Sequence, residues 1–183
     1  MRGEAGPVTI KEKRAAIAVW LFALVGSVVL VLLTLAAPAL RSRSPRLSAL
    51  FYAVFAPLCH QDPGRCFQYA GYPLAVCGRC LGIDIGFVLG TLLYPFVRGF
   101  TCPFPPAVRT FLMASLPVAL DGAGNVLGLW SSPIGVRLVT GVLWGAVLPA
   151  YFIAGMHELA MRLPCFRTLL PGDPRLNSEG RSS

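Results

Sequence analysis

An unbroken apolar run near the N-terminus limits what this chain can fold into more than any other feature of its sequence. Residues 15 to 40 contain no charged side chain. About 20 apolar residues suffice for a helix to cross a bilayer, where a helix satisfies its own backbone hydrogen bonds. The run therefore predicts a first membrane-spanning helix. Basic residues flank both of its ends: Lys11, Lys13 and Arg14 before it, and Arg41, Arg43 and Arg46 after it.

The composition of the whole chain agrees with a membrane protein. Of its 183 residues, 55% are hydrophobic and only 13% are charged, and the mean hydropathy is +0.66. We therefore expect an all-α integral membrane protein with the lipid bilayer as its main partner. The net charge of +8 does not indicate nucleic acid, because the arginines lie in short groups between apolar runs and form no basic stripe.

Further apolar runs complete an expected set of about four transmembrane helices: residues 77 to 97, 110 to 130 and 134 to 157. The middle run contains Pro117 and an Asp-Gly-Ala-Gly-Asn stretch at 121 to 125, which predicts a broken or kinked helix. Residues 47 to 58 are apolar but too short to span, so they predict an interfacial or re-entrant helix.

The ends of the chain differ from its middle. Residues 1 to 14 are polar, residues 15 to 163 are expected to form a single transmembrane domain, and residues 164 to 183 are predicted to be disordered. Four spans place both termini on one side of the membrane. That side carries more Lys and Arg than the other, which predicts that the termini are cytoplasmic.

Glycines recur every four residues in two of the predicted spans. They are Gly78, Gly82, Gly86 and Gly90 in one span, and Gly141 and Gly145 in another. Such stripes let helices approach closely. They could pack within the chain or hold a homo-oligomer together.

Four of the six cysteines and one of the two histidines lie between residues 59 and 80. Cys77 and Cys80 form a Cys-x-x-Cys pair, a spacing found both in zinc sites and in dithiol redox pairs. Together with Cys59 and His60 they predict a metal site, most simply for zinc. Adjacent Cys59 and His60 cannot easily reach one ion together. Either His60 or Asp84 could therefore be the fourth ligand, or could contact a ligand without touching the ion.

Three other residues complete this Cys/His block. Cys66 could be a further thiol of the site or a disulfide partner. Arg65 and Arg79 either favour the thiolate form of the cysteines or anchor the chain at the membrane surface. The simpler alternative is a set of buried cysteines with one hydrogen-bonded histidine.

Polar residues within the predicted spans are a second group of interest. Asp84, Asp121 and Arg137 would each cost at least about 2.5 to 3.5 kcal/mol in the membrane without a partner. We expect Asp121 to pair with Arg137, with Asn125 in the same pocket. A structural ion pair and a functional relay both fit this arrangement. His157, at the end of the last span, is expected to make a helix-end or headgroup contact.

At these residues the chain resembles an uncharacterised bacterial and archaeal membrane family, domain of unknown function 2085. The resemblance covers residues 50 to 150 and lies in Cys59-His60-Gln61, Pro63, Arg65, Phe67, Val76-Cys77, Arg79-Cys80, Gly82, Gly86, Asp121-Gly122, Arg137 and Thr140-Gly141. Two residues depart from the family pattern: Cys66 stands where the family has serine, and Asp84 stands where it has tyrosine. The resemblance implies a prokaryotic plasma membrane protein and names no activity.

Three functions remain open from the sequence. The first is a metal-binding membrane protein that holds zinc with Cys59, His60, Cys77 and Cys80. The second is a thiol-disulfide or quinone-linked oxidoreductase that uses Cys77 and Cys80. The third is a transporter or lipid-handling protein that uses Asp121 and Arg137. The sequence identifies no small-molecule ligand and no catalytic residue.

Overall fold

The computed structural model describes residues 10–99 and 105–162, which are mostly helical. The helices are α1 Ile10–Ala39, α2 Pro45–Phe55, α3 Gly78–Val97, α4 Val108–Val126 and α5 Ile134–Arg162. A short 3₁₀ turn, Pro63–Arg65, and a two-stranded antiparallel hairpin, β1 Gln68–Tyr69 and β2 Tyr72–Pro73, connect α2 to α3. The predicted disordered tail, Cys102 and Cys165 lie outside the described residues.

Three of the described helices are long and apolar enough to cross a membrane. The spans are Glu12–Ala39, Gly78–Val97 and Ile134–Ala160. The described part of the chain is therefore an all-α membrane architecture with three candidate spans. The expected fourth span corresponds to α4, whose sequence includes Arg109 and Asp121, and its apolar character does not by itself mark it as a span.

Helices α3 and α5 pack in parallel through their glycines. Gly82 lies against Leu138, Gly86 against Val142 and Gly90 against Ala146. A Cβ atom added to any of these glycines would lie 2.2 to 2.3 Å from a backbone oxygen of α5. No side chain fits at that separation, so the two helix backbones touch because these positions are glycine.

The second glycine stripe completes the same contact from the other side. A Cβ atom at Gly141 would lie 2.4 Å from the carbonyl oxygen of Arg79, and one at Gly145 would lie 2.2 Å from that of Ile83. Both stripes are thus occupied within one chain. The homo-oligomer considered from the sequence stays a prediction.

Helix α1 runs antiparallel to α3 and α5 and covers them along much of their length. The Trp20 indole Nε1 donates to the carbonyl oxygen of Thr91 at 2.7 Å. Near the start of α1, the Glu12 carbonyl lies 3.3 Å from Nε2 of the buried His157. His157 lies within α5, which continues to Arg162, and its contact with the first turn of α1 joins the two helices.

Helix α4 runs antiparallel to α5. At its start, the Tyr151 hydroxyl donates to the Ala107 carbonyl at 2.9 Å. At its other end, Asn125 accepts a hydrogen bond from Arg137, near the beginning of α5. Of the broken or kinked helix expected from the sequence, the break is wrong, because the helix continues to Val126 with Pro117 inside it. Within this helix, the Asn125 side-chain amide donates to the backbone carbonyl of Asp121 at 2.6 Å.

The segment between α1 and α3 folds over one end of these helices. Helix α2 has 11 residues, or about 16 Å, which is too short to span. Its buried Ser48 hydroxyl donates to the Ala37 carbonyl at 2.7 Å, and the Tyr52 hydroxyl donates to the Pro73 carbonyl. A buried cluster below them fixes the segment: Ala37, Phe55, Cys59, Leu74, Ala75, Val76 and Leu81.

Candidate metal centre

Three cysteines of the Cys/His block converge at the start of α3. The sulfur atoms of Cys59, Cys77 and Cys80 all lie within 4.8 Å of one another, and those of Cys77 and Cys80 are 3.6 Å apart. Sulfur ligands about 2.3 Å from a tetrahedral zinc ion lie about 3.8 Å apart. The three thiols are therefore close to the separation that one zinc ion requires.

Local structure places each thiol. Cys59 follows α2, and its sulfur accepts a hydrogen bond from the Cys77 amide at 3.1 Å. Cys77 has an extended backbone and caps α3, which begins at Gly78. The Cys-x-x-C spacing puts Cys80 in the first helical turn, close to Cys77. The cluster thus lies at a helix N-terminus, whose exposed amides favour negative charge.

Hydrogen bonding makes Cys77 unusually acidic. The Cys80 thiol has the largest effect, and the backbone amides of Cys80 and Arg79 and the Cys59 thiol add to it. Against the opposing effect of burial, these contacts lower the pKa of the Cys77 thiol to about 5. Because the thiolate is the form that binds metals and attacks disulfides, Cys77 is ready for either chemistry at neutral pH.

Cys66 has the opposite character. Its side chain is buried, and burial is the main reason that its pKa rises to about 12. The neighbouring thiols of Cys59 and Cys77 and the Asp62 carboxylate raise it further. Cys66 lies outside the group of three converging sulfurs and is a neutral thiol at neutral pH.

The structure separates the two candidates for a fourth ligand. His60 is exposed and lines a cavity of about 560 Å³ that the three cysteines also line. Asp84 lines a different cavity, with Phe22 and Ser27 of α1. Neither belongs to the converging group, which contains no fourth His, Cys, Asp or Glu from the described part of the chain.

A partly buried polar network borders the same cavity. Arg79 forms an ion pair with Asp121, and the Asp121 carboxylate also accepts the Ser132 hydroxyl. The Nε of Arg137 donates to the Ser132 carbonyl at 3.0 Å, and its Nη2 donates to the Asn125 side chain. The Asn125 amide donates to the Ser132 hydroxyl at 2.8 Å, which closes the network.

This network corrects the expected ion pair. Arg79, not Arg137, is the direct partner of Asp121, and Arg137 joins through Asn125 and Ser132. The parallel packing of α3 and α5 explains the difference, because it brings the first turn of α3 beside the end of α4. Ser132 was missed from the sequence, because this serine carries no charge and belongs to no recognised motif.

The charges of the network and the thiols are complementary. Arg79, Arg137 and Asp121 together carry one excess positive charge, and both arginines line the cavity with the three cysteines. Three thiolates around a divalent ion would carry one excess negative charge. Arg65 contributes less, because it pairs with Asp62 at 3.0 Å on the surface, where the two side chains are 53% and 48% exposed.

One family model and two uncharacterized archaeal proteins match the chain. A family model described as "Predicted membrane protein (DUF2085)" matches residues 59–151, which include the three cysteines and the whole polar network. An uncharacterized protein of Methanocaldococcus jannaschii is 34% identical over 113 residues, covering 62% of this chain and 72% of that protein. An uncharacterized protein of Methanothermobacter thermautotrophicus is 34% identical over 91 residues, covering 48% of this chain and 78% of that protein. No solved structure matches the chain.

The polar network predicts an asymmetric response to charge removal. Asp121→Asn leaves the buried Arg137 and its neighbour Arg79 without a carboxylate, and we expect it to lower the free energy of unfolding by about 3 to 5 kcal/mol. The double variant Arg79→Gln/Asp121→Asn should lower the free energy of unfolding less, because it removes the Arg79 charge together with the carboxylate that neutralises it. Thermal unfolding of the purified protein in detergent would measure both.

Asp62→Asn is the matched control, since it breaks the exposed pair with Arg65 and should cost about 0.2 to 1 kcal/mol. A coupled network would be contradicted if the double variant lost as much free energy of unfolding as Arg79→Gln and Asp121→Asn lose in sum.

Proposed function

The chain belongs to the DUF2085 family of predicted membrane proteins, and we propose that it is a zinc-binding membrane protein with a three-thiolate centre at one membrane surface. One observation carries the proposal: the sulfurs of Cys59, Cys77 and Cys80 converge within 4.8 Å from separate segments of the chain. Thiolates are soft ligands that select zinc over magnesium or calcium. Bound zinc would tie the loop after α2 to the start of α3.

Three protein ligands leave one position on a tetrahedral ion. Structural zinc sites close it with a fourth residue, whereas reactive sites leave it to water or a substrate. His60 lines the same cavity and is the protein group that could close the site. A water molecule would occupy the position otherwise, and the cavity of about 560 Å³ gives it room.

The two arginines support the metal centre electrostatically. Each of Arg79 and Arg137 has fixed partners, so their guanidinium groups are held in place beside the cavity. In this proposal their excess positive charge balances the excess negative charge of a zinc ion with three thiolates. Such balance lowers the cost of keeping the centre next to hydrocarbon.

We also propose that α4 is a fourth span. It has 19 residues, or about 28 Å, close to the thickness of the hydrocarbon core. Its start lies beside Tyr151 and its end beside Arg137, so it runs antiparallel to α5 between these two residues. Its Asp121 is paired with Arg79, which lowers the cost of that charge in the membrane. The termini would then be cytoplasmic and the thiol centre would face outward.

Epitope insertions would test this topology. Short tags after Gly71 and Gly128, both in turns with open space around them, should be accessible to antibody in intact cells. A tag after Pro106, before α4, should become accessible only after permeabilisation. Tags at Gly71 and Gly128 on opposite sides of the membrane would contradict the four-span arrangement.

One observation favours a second function, a dithiol oxidoreductase. Cys77 has a pKa of about 5, and its sulfur is 3.6 Å from that of Cys80, so a thiolate and its resolving thiol are side by side at a helix N-terminus. The same features suit a metal ligand. Metal content and thiol oxidation state distinguish the two functions.

Metal analysis of cysteine variants tests the zinc proposal. Protein purified in detergent without chelator should contain about one zinc per chain, and Cys59→Ser, Cys77→Ser and Cys80→Ser should each lower this at least tenfold. Cys66→Ser is the matched control, because it removes a buried thiol outside the cluster and should keep the metal. Absence of metal together with a Cys77–Cys80 disulfide would reject the zinc centre in favour of the oxidoreductase.

A further inference from the structure

A second cavity lies at membrane depth, away from the thiol cluster. It has a volume of about 460 Å³, and residues of α1, α3 and α5 line it. Its walls are apolar apart from two side chains, those of Ser27 and Asp84. The zinc proposal gives this cavity no role.

Asp84 has no partner in the part of the chain that the structure describes. Its carboxylate accepts no hydrogen bond there and forms no ion pair. The Ser27 hydroxyl is occupied, since it donates to the Leu24 carbonyl at 3.0 Å. Asp84 is six residues into the α3 span, about 9 Å along the helix axis. An ionised carboxylate at such a depth is costly unless a positive charge reaches it.

Aromatic rings form much of the remaining wall. Phe22, Phe87 and Phe152 line the cavity, and the rings of Phe87 and Phe152 pack edge to face with centroids 5.7 Å apart. Ring faces attract organic cations. A bare metal ion would need several oxygen ligands, which this lining does not offer.

We propose that this cavity binds a lipophilic organic cation, of the ammonium or phosphonium class, with Asp84 as its counter-ion. Apolar substituents of the ligand would pack against the phenylalanine rings while the cationic centre approaches the carboxylate. Phe22 and Leu30 are 64% and 43% exposed, so the cavity is open on the lipid side of α1 and α3. A ligand dissolved in the bilayer can therefore enter without passing the thiol centre.

Two probes of the same shape and opposite charge test the proposal. Radiolabelled tetraphenylphosphonium should bind the purified full chain in detergent by equilibrium dialysis, after subtraction of binding to empty micelles. Tetraphenylborate, its anionic counterpart, should bind at least tenfold more weakly. Asp84→Asn should lower tetraphenylphosphonium affinity at least tenfold and reduce the preference between the probes.

A second variant blocks the cavity and leaves the charge in place. A Cβ atom at Gly26, which lines the cavity, would meet nothing within 4 Å, so Gly26→Leu should fill the space and abolish binding while the protein stays folded. Gly155→Leu is the matched control, because Gly155 is an exposed glycine of α5 with equally open surroundings outside the cavity, and it should bind normally.

Several results would overturn the proposal. Equal binding of the two probes would mean an apolar crevice without charge selection. Unchanged tetraphenylphosphonium affinity in Asp84→Asn or Gly26→Leu would place binding elsewhere, and no binding to the wild-type chain would remove the site. Thermal unfolding of each variant in detergent, compared with that of the wild-type chain, reports whether the fold is intact.

Discussion

Direct backbone contact between α3 and α5 is the constraint on which the rest of this molecule depends. Gly82, Gly86 and Gly90 on one helix and Gly141 and Gly145 on the other leave no space for a side chain between them. The contact fixes the two helices in one parallel register, because a shift along the axis would put larger residues into the seam. Interiors packed this closely tolerate little sliding.

That register determines which side chains of α3, α4 and α5 are neighbours at one end of the bundle. The Arg79 carbonyl meets Gly141, one turn beyond Arg137, so the start of α3 and the start of α5 lie at the same level. Parallel neighbours require an antiparallel connection, and α4 supplies it and delivers Asp121 and Asn125 to the same place. Two arginines, an aspartate and three thiols thus share one region although the sequence separates them widely.

The sequence predicted correctly those features that depend on a local pattern of residues. The apolar runs predicted α1, α3 and α5 to within a few residues, and the close spacing of Cys59, Cys77 and Cys80 predicted their convergence. Tertiary contacts decided the remaining features. The partner of Asp121 depended on the register of α3. The helix continues through residues 121 to 125, where Asn125 forms hydrogen bonds with Ser132 and Arg137. Asp84 was considered as a fourth ligand of the metal site, yet one turn beyond Cys80 it borders a separate cavity lined by α1.

Zinc K-edge X-ray absorption on the purified chain tests the central claim most directly, because it counts the sulfur neighbours of the metal. The account predicts three sulfur atoms at about 2.3 Å and one nitrogen or oxygen atom at about 2.0 to 2.2 Å. A spectrum with only nitrogen and oxygen neighbours would place the metal away from the cysteines. Four sulfur neighbours would require a cysteine outside the cluster of three, and either result would contradict the three-thiolate centre.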